Sequence, residues 1–221
     1  MELYHVLNRG VEKRTIFMDD RDRFRFVHGL GLFNTAKPAT NTTYLLENDY
    51  IDFVSRYGKD PIVDIHAWCL MKNHYHLLLS ERVEKGITLF IRKLNVGYAR
   101  YFNERYKRSG YLFQGRTKKI LIHSDAHFFH ILHYIHLNPL DYLPSARQWR
   151  NDRVGDGGKA KAHLEKYRWS SLADYRGQKN FPSILTMDFF KESIGNITRE
   201  TMSYLDHPHA SGDKLPDRYL E

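Results

Sequence analysis

Cysteine is all but missing from this sequence: Cys69 stands alone among 221 residues. That excludes an intramolecular disulfide and fits a reducing compartment, with the cytoplasm, at the nucleoid, as the expected location. Long apolar runs are missing as well. No stretch approaches the roughly 18 to 20 residues that a membrane-spanning helix needs, so no membrane partner is expected. The first residues, Met1 to His5, lack the basic-then-apolar order of a secretory signal, which speaks against export. No internal repeat is visible. What remains is a composition of 42% hydrophobic and 27% charged residues, that of a globular chain long enough to build its own core.

Acidic residues are outnumbered, 26 Asp and Glu against 34 Lys and Arg, for a formal net charge of +8. The excess is local. Arg92, Lys93, Arg100, Arg105, Lys107, Arg108, Arg116, Lys118 and Lys119 face a single acid, Glu104, so the window from 92 to 119 holds the whole surplus. Tyr98, Tyr101, Phe102, Tyr106, Tyr111 and Phe113 are interleaved with these charges. Cations for phosphates beside aromatics for bases are what a nucleic-acid-binding surface requires. The same pattern also suits a solvated basic helix whose aromatic residues face a core. Arg9 extends the basic set towards the N-terminus.

Residues 3 to 7 read as a strand closed by the Asn8-Arg9-Gly10 turn, and Asp19-Asp20 precedes helical spacing of Phe24, Val27 and Leu30. Residues 34 to 61 read as an insertion, a loop with a helix over 45 to 57. Ile62 to Cys69 and His74 to Leu79 form a hairpin whose second strand places His74, His76 and Leu78 on one face and Tyr75, Leu77 and Leu79 on the other. An amphipathic helix over 87 to 102, a strand over 113 to 122 and a helix from Ser124 or Asp125 to Asn138 follow. Pro139 ends that helix. Strand, helix, hairpin, helix, strand, helix predicts an α+β, ferredoxin-like split βαβ sandwich with an antiparallel sheet, an added helix and a C-terminal helical extension. Residues 1 to 143 form the expected catalytic domain and 144 to 221 the extension, with a flexible loop at Gly155 to Gly158, order resuming at Arg168 and small helices over 188 to 205.

His74 and His76 project from one strand face to the same side, close enough to share a cation. Thirteen histidines in 221 residues make about one such pair expected by chance, and His207 and His209 form another. The strand context is what separates the first pair, because polar rings among core positions need partners. Tyr134 and Asn138, one helical turn apart, share a face. A tyrosine oxygen can attack a phosphodiester when a cation draws charge from the non-bridging oxygens, and an Asn138 amide oxygen can complete a shell begun by two neutral imidazoles. Mixed nitrogen and oxygen ligands without thiolate suit Mg²⁺ or Mn²⁺ and leave zinc open. Equally, Tyr134 can be an aromatic packed on the sheet. His127, His130, His133 and His136 recur every three residues and cannot converge on one metal; most are expected to be solvated or to back other groups, with His130 a candidate to orient the phenol.

Asn73-His74-Tyr75-His76-Leu77-Leu78-Leu79 and Tyr134-Ile135-His136-Leu137-Asn138-Pro139 resemble the "NHxHLLL" and "YIxxNP" motifs of the REP-associated tyrosine transposases. These are relatives of the single-tyrosine transposases of small bacterial insertion sequences. Tyr4-His5-Val6 with Asn8-Arg9-Gly10, Phe113-Gln114-Gly115-Arg116 and Tyr167-Arg168-Trp169-Ser170-Ser171 agree, over residues 1 to about 177. The resemblance implies a ferredoxin-like HUH fold, a divalent metal on His74, His76 and Asn138, and Tyr134 as nucleophile. It also implies cleavage of single-stranded DNA beside a hairpin through a 5′-phosphotyrosine, by a monomer or homodimer assembled in cis or in trans. Lys72 replaces the family's usual Pro, which is expected to alter only the hairpin turn. Leu140-Asp141-Tyr142-Leu143 replaces "VRAG" and removes a basic contact, and the 34 to 61 segment is longer than the family leads one to expect. Two other classes stand beside this one: a catalytically silent hairpin-binding protein, and a metallohydrolase built on His74, His76 and groups such as Asp64 and His66.

Overall fold

In the computed structural model, residues 1–38, 60–151, 154–187 and 201 are described. Strand β1 (Leu3–Arg9) is followed by helix α1 (Asp20–Leu32), the hairpin β2 (Val63–Leu70) and β3 (His74–Glu81), helix α2 (Gly86–Arg105), β4 (Lys118–Leu121) and helix α3 (Asp125–Leu137). Beyond a 3-10 segment at Asn138–Tyr142 come α4 (Gly157–Lys166) and the one-turn α5 (Leu172–Tyr175). The sheet order is β2-β3-β1-β4 with every neighbouring pair antiparallel, the split βαβ arrangement read from the sequence.

Local chemistry sets the boundaries. The Asp19 carboxylate caps α1 by accepting from the Asp22 amide, and the Ser124 hydroxyl caps α3 by accepting from the His127 amide, each satisfying a donor the helix cannot. Gly97 lets α2 lie against α1, because a Cβ there would sit 2.3 Å from the Phe33 ring. Two expectations need correction. The strand expected over 113 to 122 shrinks to Lys118–Leu121, since Gly115 turns the chain at φ 61 and Phe113 keeps only a lone bridge to Gly10. Gly155 to Gly158 is not a plain loop: the Asp156 carboxylate accepts from the Lys159 amide and starts α4 at Gly157. The helices expected over 45 to 57 and 188 to 205 lie outside the described residues, Thr201 apart.

Two cores flank the sheet. Helices α1 and α2 cover one face, burying Phe26, Val27, Leu30, Phe90, Leu94 and Tyr98 against Val6, Tyr75, Leu77 and Leu79. Helix α3 covers the other, with Phe128, Ile131, Leu132, Tyr134 and Ile135 against Ala67, Cys69 and Leu78. A register shift between Ile65 and Ala67 swaps the faces that the two ends of β2 present. The segment after 144 joins both cores: Ala160, Leu164 and Leu172 enter the α3 side, and Trp169, Phe181 and Ile184 the other. Its Trp169–Ser171 stretch runs along the edge of β2, with Leu70 donating to the Trp169 carbonyl and Ser171 to that of Trp68. Among the described residues, no helix is long and apolar enough to cross a membrane.

Of the α3 histidines, His127 and His136 are buried and His130 and His133 half-buried. His136 is inaccessible and pairs with the Ser171 hydroxyl at 2.8 Å, while His133 pairs with that of Thr201 at 2.9 Å. Burial lowers His133 to about 4 and His136 to about 3, and His28 on α1 to about 4. These rings stay neutral in the folded chain while the unfolded chain binds protons below the ordinary 6.5. Their contribution to stability is complete above pH 6.5 and is lost as pH falls towards 4 and 3. Urea midpoints measured from pH 7 to 4 are expected to fall steadily, and His136→Gln to flatten that slope.

On the other side of the sheet, Asp22 is fully buried and accepts from the Met18 amide at 2.8 Å, the Tyr101 hydroxyl at 3.0 Å and the Tyr106 hydroxyl at 2.9 Å. Arg105 pairs with it and with Asp19, whose carboxyl that hydrogen bond holds below its usual range. Asp22→Ala strands several donors at once, and chemical denaturation is expected to record a loss of about 3 kcal/mol.

Candidate active site

Pairing in the sheet decides what surrounds the two strand histidines. Leu7 lies opposite His76, Arg9 opposite His74 and His5 opposite Leu78, while Leu7 also faces Lys118 across β4. Directly paired residues share a face, so His5, Arg9 and Lys118 stand with His74 and His76 on the side that α3 covers, and Lys119 points to the opposite side. Lys119 is occupied there, with Glu81 at 2.9 Å and the Tyr4 ring at 3.9 Å from its Nζ.

Each imidazole is backed through Nδ1. The Asn73 amide donates through Nδ2 to the Lys13 carbonyl, which turns its Oδ1 to accept from His74 Nδ1 at 2.7 Å. The His74 proton is thereby placed on Nδ1 and the Nε2 lone pair is left outward. His76 Nδ1 meets His5 Nε2 at 2.9 Å with the two rings stacked, and His76 Nε2 is buried with no hydrogen-bond partner among the described residues. Burial pulls His74 down to about 4, and the charges of Arg150 and Arg9 push the same way while Asp141 opposes them. Burial also holds His76 well below the ordinary range, reinforced by His74, His5 and Arg150. Both rings are neutral near pH 7, the form that can ligate a cation.

Tyr134 packs edge-on to His76, with centroids 5.4 Å apart, and to His5 at 6.1 Å. Its ring is almost wholly buried and leans on Trp149 at 5.6 Å. Asn138, inaccessible one turn later, donates through Nδ2 to the Tyr134 carbonyl at 2.8 Å and accepts at Oδ1 from Arg150 Nη2 at 3.1 Å. The structure therefore gathers His74, His76, Tyr134 and Asn138 in one chain. His130 is half-buried on the same helix, one turn before Tyr134.

The residues present fit a divalent cation. The two Nε2 positions supply neutral nitrogen donors, and one of them is an orphaned buried atom. Asn138 Oδ1 keeps a second lone pair beside its bond to Arg150. Among the described residues no group of three or more His, Cys, Asp or Glu side chains could hold a metal, so such a shell is completed by amide, water or substrate oxygens. Asp64 and His66 do not join it: His66 is bonded to the Ser80 hydroxyl at 2.8 Å and the Thr186 carbonyl at 3.1 Å, and Asp64 is paired with Arg82.

Other basic candidates divide in two. Arg92, Arg100, Lys107, Arg116 and Lys118 are exposed. Arg105 is spent on Asp19 and Asp22, Lys93 Nζ donates to the carbonyls of Thr35 and Lys37, Arg108 donates to Asn103, and Arg9 donates to Gln114. Tyr111, in the same sequence window, stands 89% exposed. The sequence reading passed over His5, Asn73, Asp141, Trp149 and Arg150. His5 and Asn73 lay inside quoted motifs, where strand register alone signals His5; the other three are joined by chain reversal, which no spacing shows.

With that geometry in place, residues 36–138 match the family described as "Transposase IS200 like", a stretch holding the hairpin with His74 and His76 and the helix with Tyr134. The match agrees with the motif resemblance. Among solved structures, that of a REP-associated tyrosine transposase bound to a REP hairpin is similar, at 10% identity and a TM-score of 0.42, over 85% of this chain and 86% of that one. No curated protein sequence matches the chain.

Lys72 does more than alter a turn. Its amide donates to the Tyr142 hydroxyl at 2.6 Å, and its carbonyl accepts from Ile16 at 2.8 Å and Phe17 at 3.1 Å. Tyr142, whose burial pushes its phenol up to about 12, thus ties the chain beyond α3 to the turn before His74. Proline offers no donor there. Lys72→Pro is expected to cost about 1 to 3 kcal/mol in urea unfolding, and no loss in that measurement would show the link to be idle.

Proposed function

We propose that this chain, whose residues 36–138 match the IS200-like transposases, breaks and rejoins single-stranded DNA beside a hairpin, with Tyr134 as nucleophile and Mg²⁺ or Mn²⁺ held by His74, His76 and Asn138. The observation that carries the reading is the edge-on contact of Tyr134 with His76 inside one chain. It favours assembly in cis, with a catalytic unit at 1–143 and an extension from 144 that lends Trp149 to the wall of the site.

In this reading His74, His76 and Asn138 would hold the cation, which when bound would supply Lewis-acid withdrawal of charge from a scissile phosphate. Asn73 and His5 hold the imidazoles in their ligand tautomer and orientation. Tyr134 Oη attacks phosphorus, loses its proton, and forms the phosphotyrosine bond as the bond to the 3′ oxygen breaks and that oxygen gains a proton. The reverse reaction with another 3′-OH rejoins the strand. Arg9 and Lys118, on the same sheet face, suit the flanking phosphates, and Arg92, Arg100, Lys107 and Arg116 suit a hairpin stem, with Tyr111 free to stack a base. A protein of this kind works at the nucleoid in the cytoplasm.

Tyr134→Phe is expected to abolish covalent attachment to a single-stranded hairpin oligonucleotide while hairpin affinity stays within about threefold, the hydroxyl carrying chemistry rather than binding. Mixing that variant with His76→Ala is expected to restore nothing. Attachment by the Phe variant alone sinks the assignment of Tyr134, whereas recovery in the mixture shows trans assembly. Unimpaired binding without attachment by the unaltered protein under either metal identifies a hairpin-binding protein instead.

A further inference from the structure

From the placement of one guanidinium we infer that Arg150 is a further catalytic residue, one that binds a non-bridging oxygen of the phosphate attacked by Tyr134, with Asp141 and Trp149 as its positioning residues. The inference rests on the reading of Tyr134 as nucleophile. Arg150 Cζ lies 5.4 Å from the centroid of the Tyr134 ring and 4.6 Å from that of Trp149. Its Nη2 donates to Asn138 Oδ1 at 3.1 Å. The cation therefore sits against both Tyr134 and Asn138, the two residues at this end of α3 that the proposed chemistry uses.

A plain structural ion pair accounts for only part of this. Asp141 takes one N–H from each Nη, the Nη2 arm at 2.8 Å, and is itself fixed by Trp149 Nε1 donating at 2.8 Å. A guanidinium has five N–H groups in a rigid fork. Arg150 Nε is buried and has no acceptor among the described residues. Burying a donor without an acceptor costs stability. An anion seated at Tyr134 removes that cost. The side chain as a whole keeps 25% of its surface exposed. Because Asp141 and the two rings already fix its orientation, no reorganisation is needed when charge builds on the phosphate. No bond to Arg150 forms or breaks; it donates hydrogen bonds only, while the electron pair moves from Tyr134 Oη to phosphorus and from phosphorus to the 3′ oxygen.

The test uses the full chain and a hairpin oligonucleotide selected by it from a randomised single-stranded pool, with the scissile phosphate made as each phosphorothioate diastereomer. Single-turnover cleavage by Arg150→Ala is expected to fall by about 10²-fold or more, with hairpin affinity within threefold and partial recovery in Arg150→Lys. In the unaltered protein one diastereomer is expected to be slow and not rescued by Mn²⁺, the mark of an oxygen bound by a hydrogen-bond donor rather than a metal. In Arg150→Ala that sulfur penalty is expected to vanish. A penalty that persists, a normal rate, or a loss of rate that tracks loss of thermal stability across Ala, Lys and Asp141→Asn variants overturns the inference and leaves the Tyr134 reading standing. Attachment in Tyr134→Phe, or no cleavage by the unaltered chain, overturns both.

Discussion

The antiparallel register between β1 and β3 is the constraint on which the rest depends. Pairing Leu7 with His76 and Arg9 with His74 puts both histidines on the α3 side and brings His5 within hydrogen-bonding distance of His76. A slip of one residue turns that whole set to the opposite face, among Phe26, Leu30 and Tyr98. The register is held from both ends. Buried Tyr75, Leu77 and Leu79 demand the α1 and α2 side, and Gly10 donates to the Asn73 carbonyl at 2.8 Å where the strands begin. A Cβ on Gly10 would lie 2.4 Å from the Arg14 carbonyl oxygen, so the residue that lets the chain pass is also the one that anchors the turn before His74.

From that frame the site follows by covering. Helix α3, capped by Ser124, lays Tyr134 edge-on to His76, and the 3-10 continuation through Pro139 carries Asp141 and Tyr142 back over the same region. Tyr142 reaches the Lys72 amide, and Asp141 captures Arg150. The extension is thus more than an appendage: its Trp149 and Arg150 form one wall around Tyr134, and its Trp169–Ser171 stretch pairs with the edge of β2. Neutral imidazoles, a phenol and a guanidinium paired with Asp141 form one cluster on the α3 side of the sheet.

Much of this was legible in the sequence because it obeys short-range rules. Alternation along His74 to Leu79 assigned the faces of β3 correctly, helical spacing found α2, and Tyr134 with Asn138 at one-turn separation placed both on the inner side of α3. The failures have physical causes. Three-residue spacing of the α3 histidines left solvated rings and rings that back other groups both open, because Ser171 and Thr201, which bond His136 and His133, are distant in sequence. Glycine at 157 and 158 signals a loop, and a single capping carboxylate at Asp156 overrides it. Arg105 belongs to the basic window by sequence, but two acids from the start of α1 claim it. Arg150 was invisible for a related reason: its partners Asp141 and Asn138 are reached through a reversal of the chain that no periodicity encodes.

The proposed function requires that Tyr134, whose ring packs edge-on to His76 in the same chain, becomes bonded to DNA through its hydroxyl. Mass mapping of peptides after reaction of the unaltered protein with hairpin DNA and Mg²⁺ or Mn²⁺ tests it most directly. The account predicts a 5′-nucleotide adduct on the peptide containing Tyr134 and on no other tyrosine. An adduct on another residue, or efficient strand cleavage with no adduct at any stage of the reaction, contradicts it.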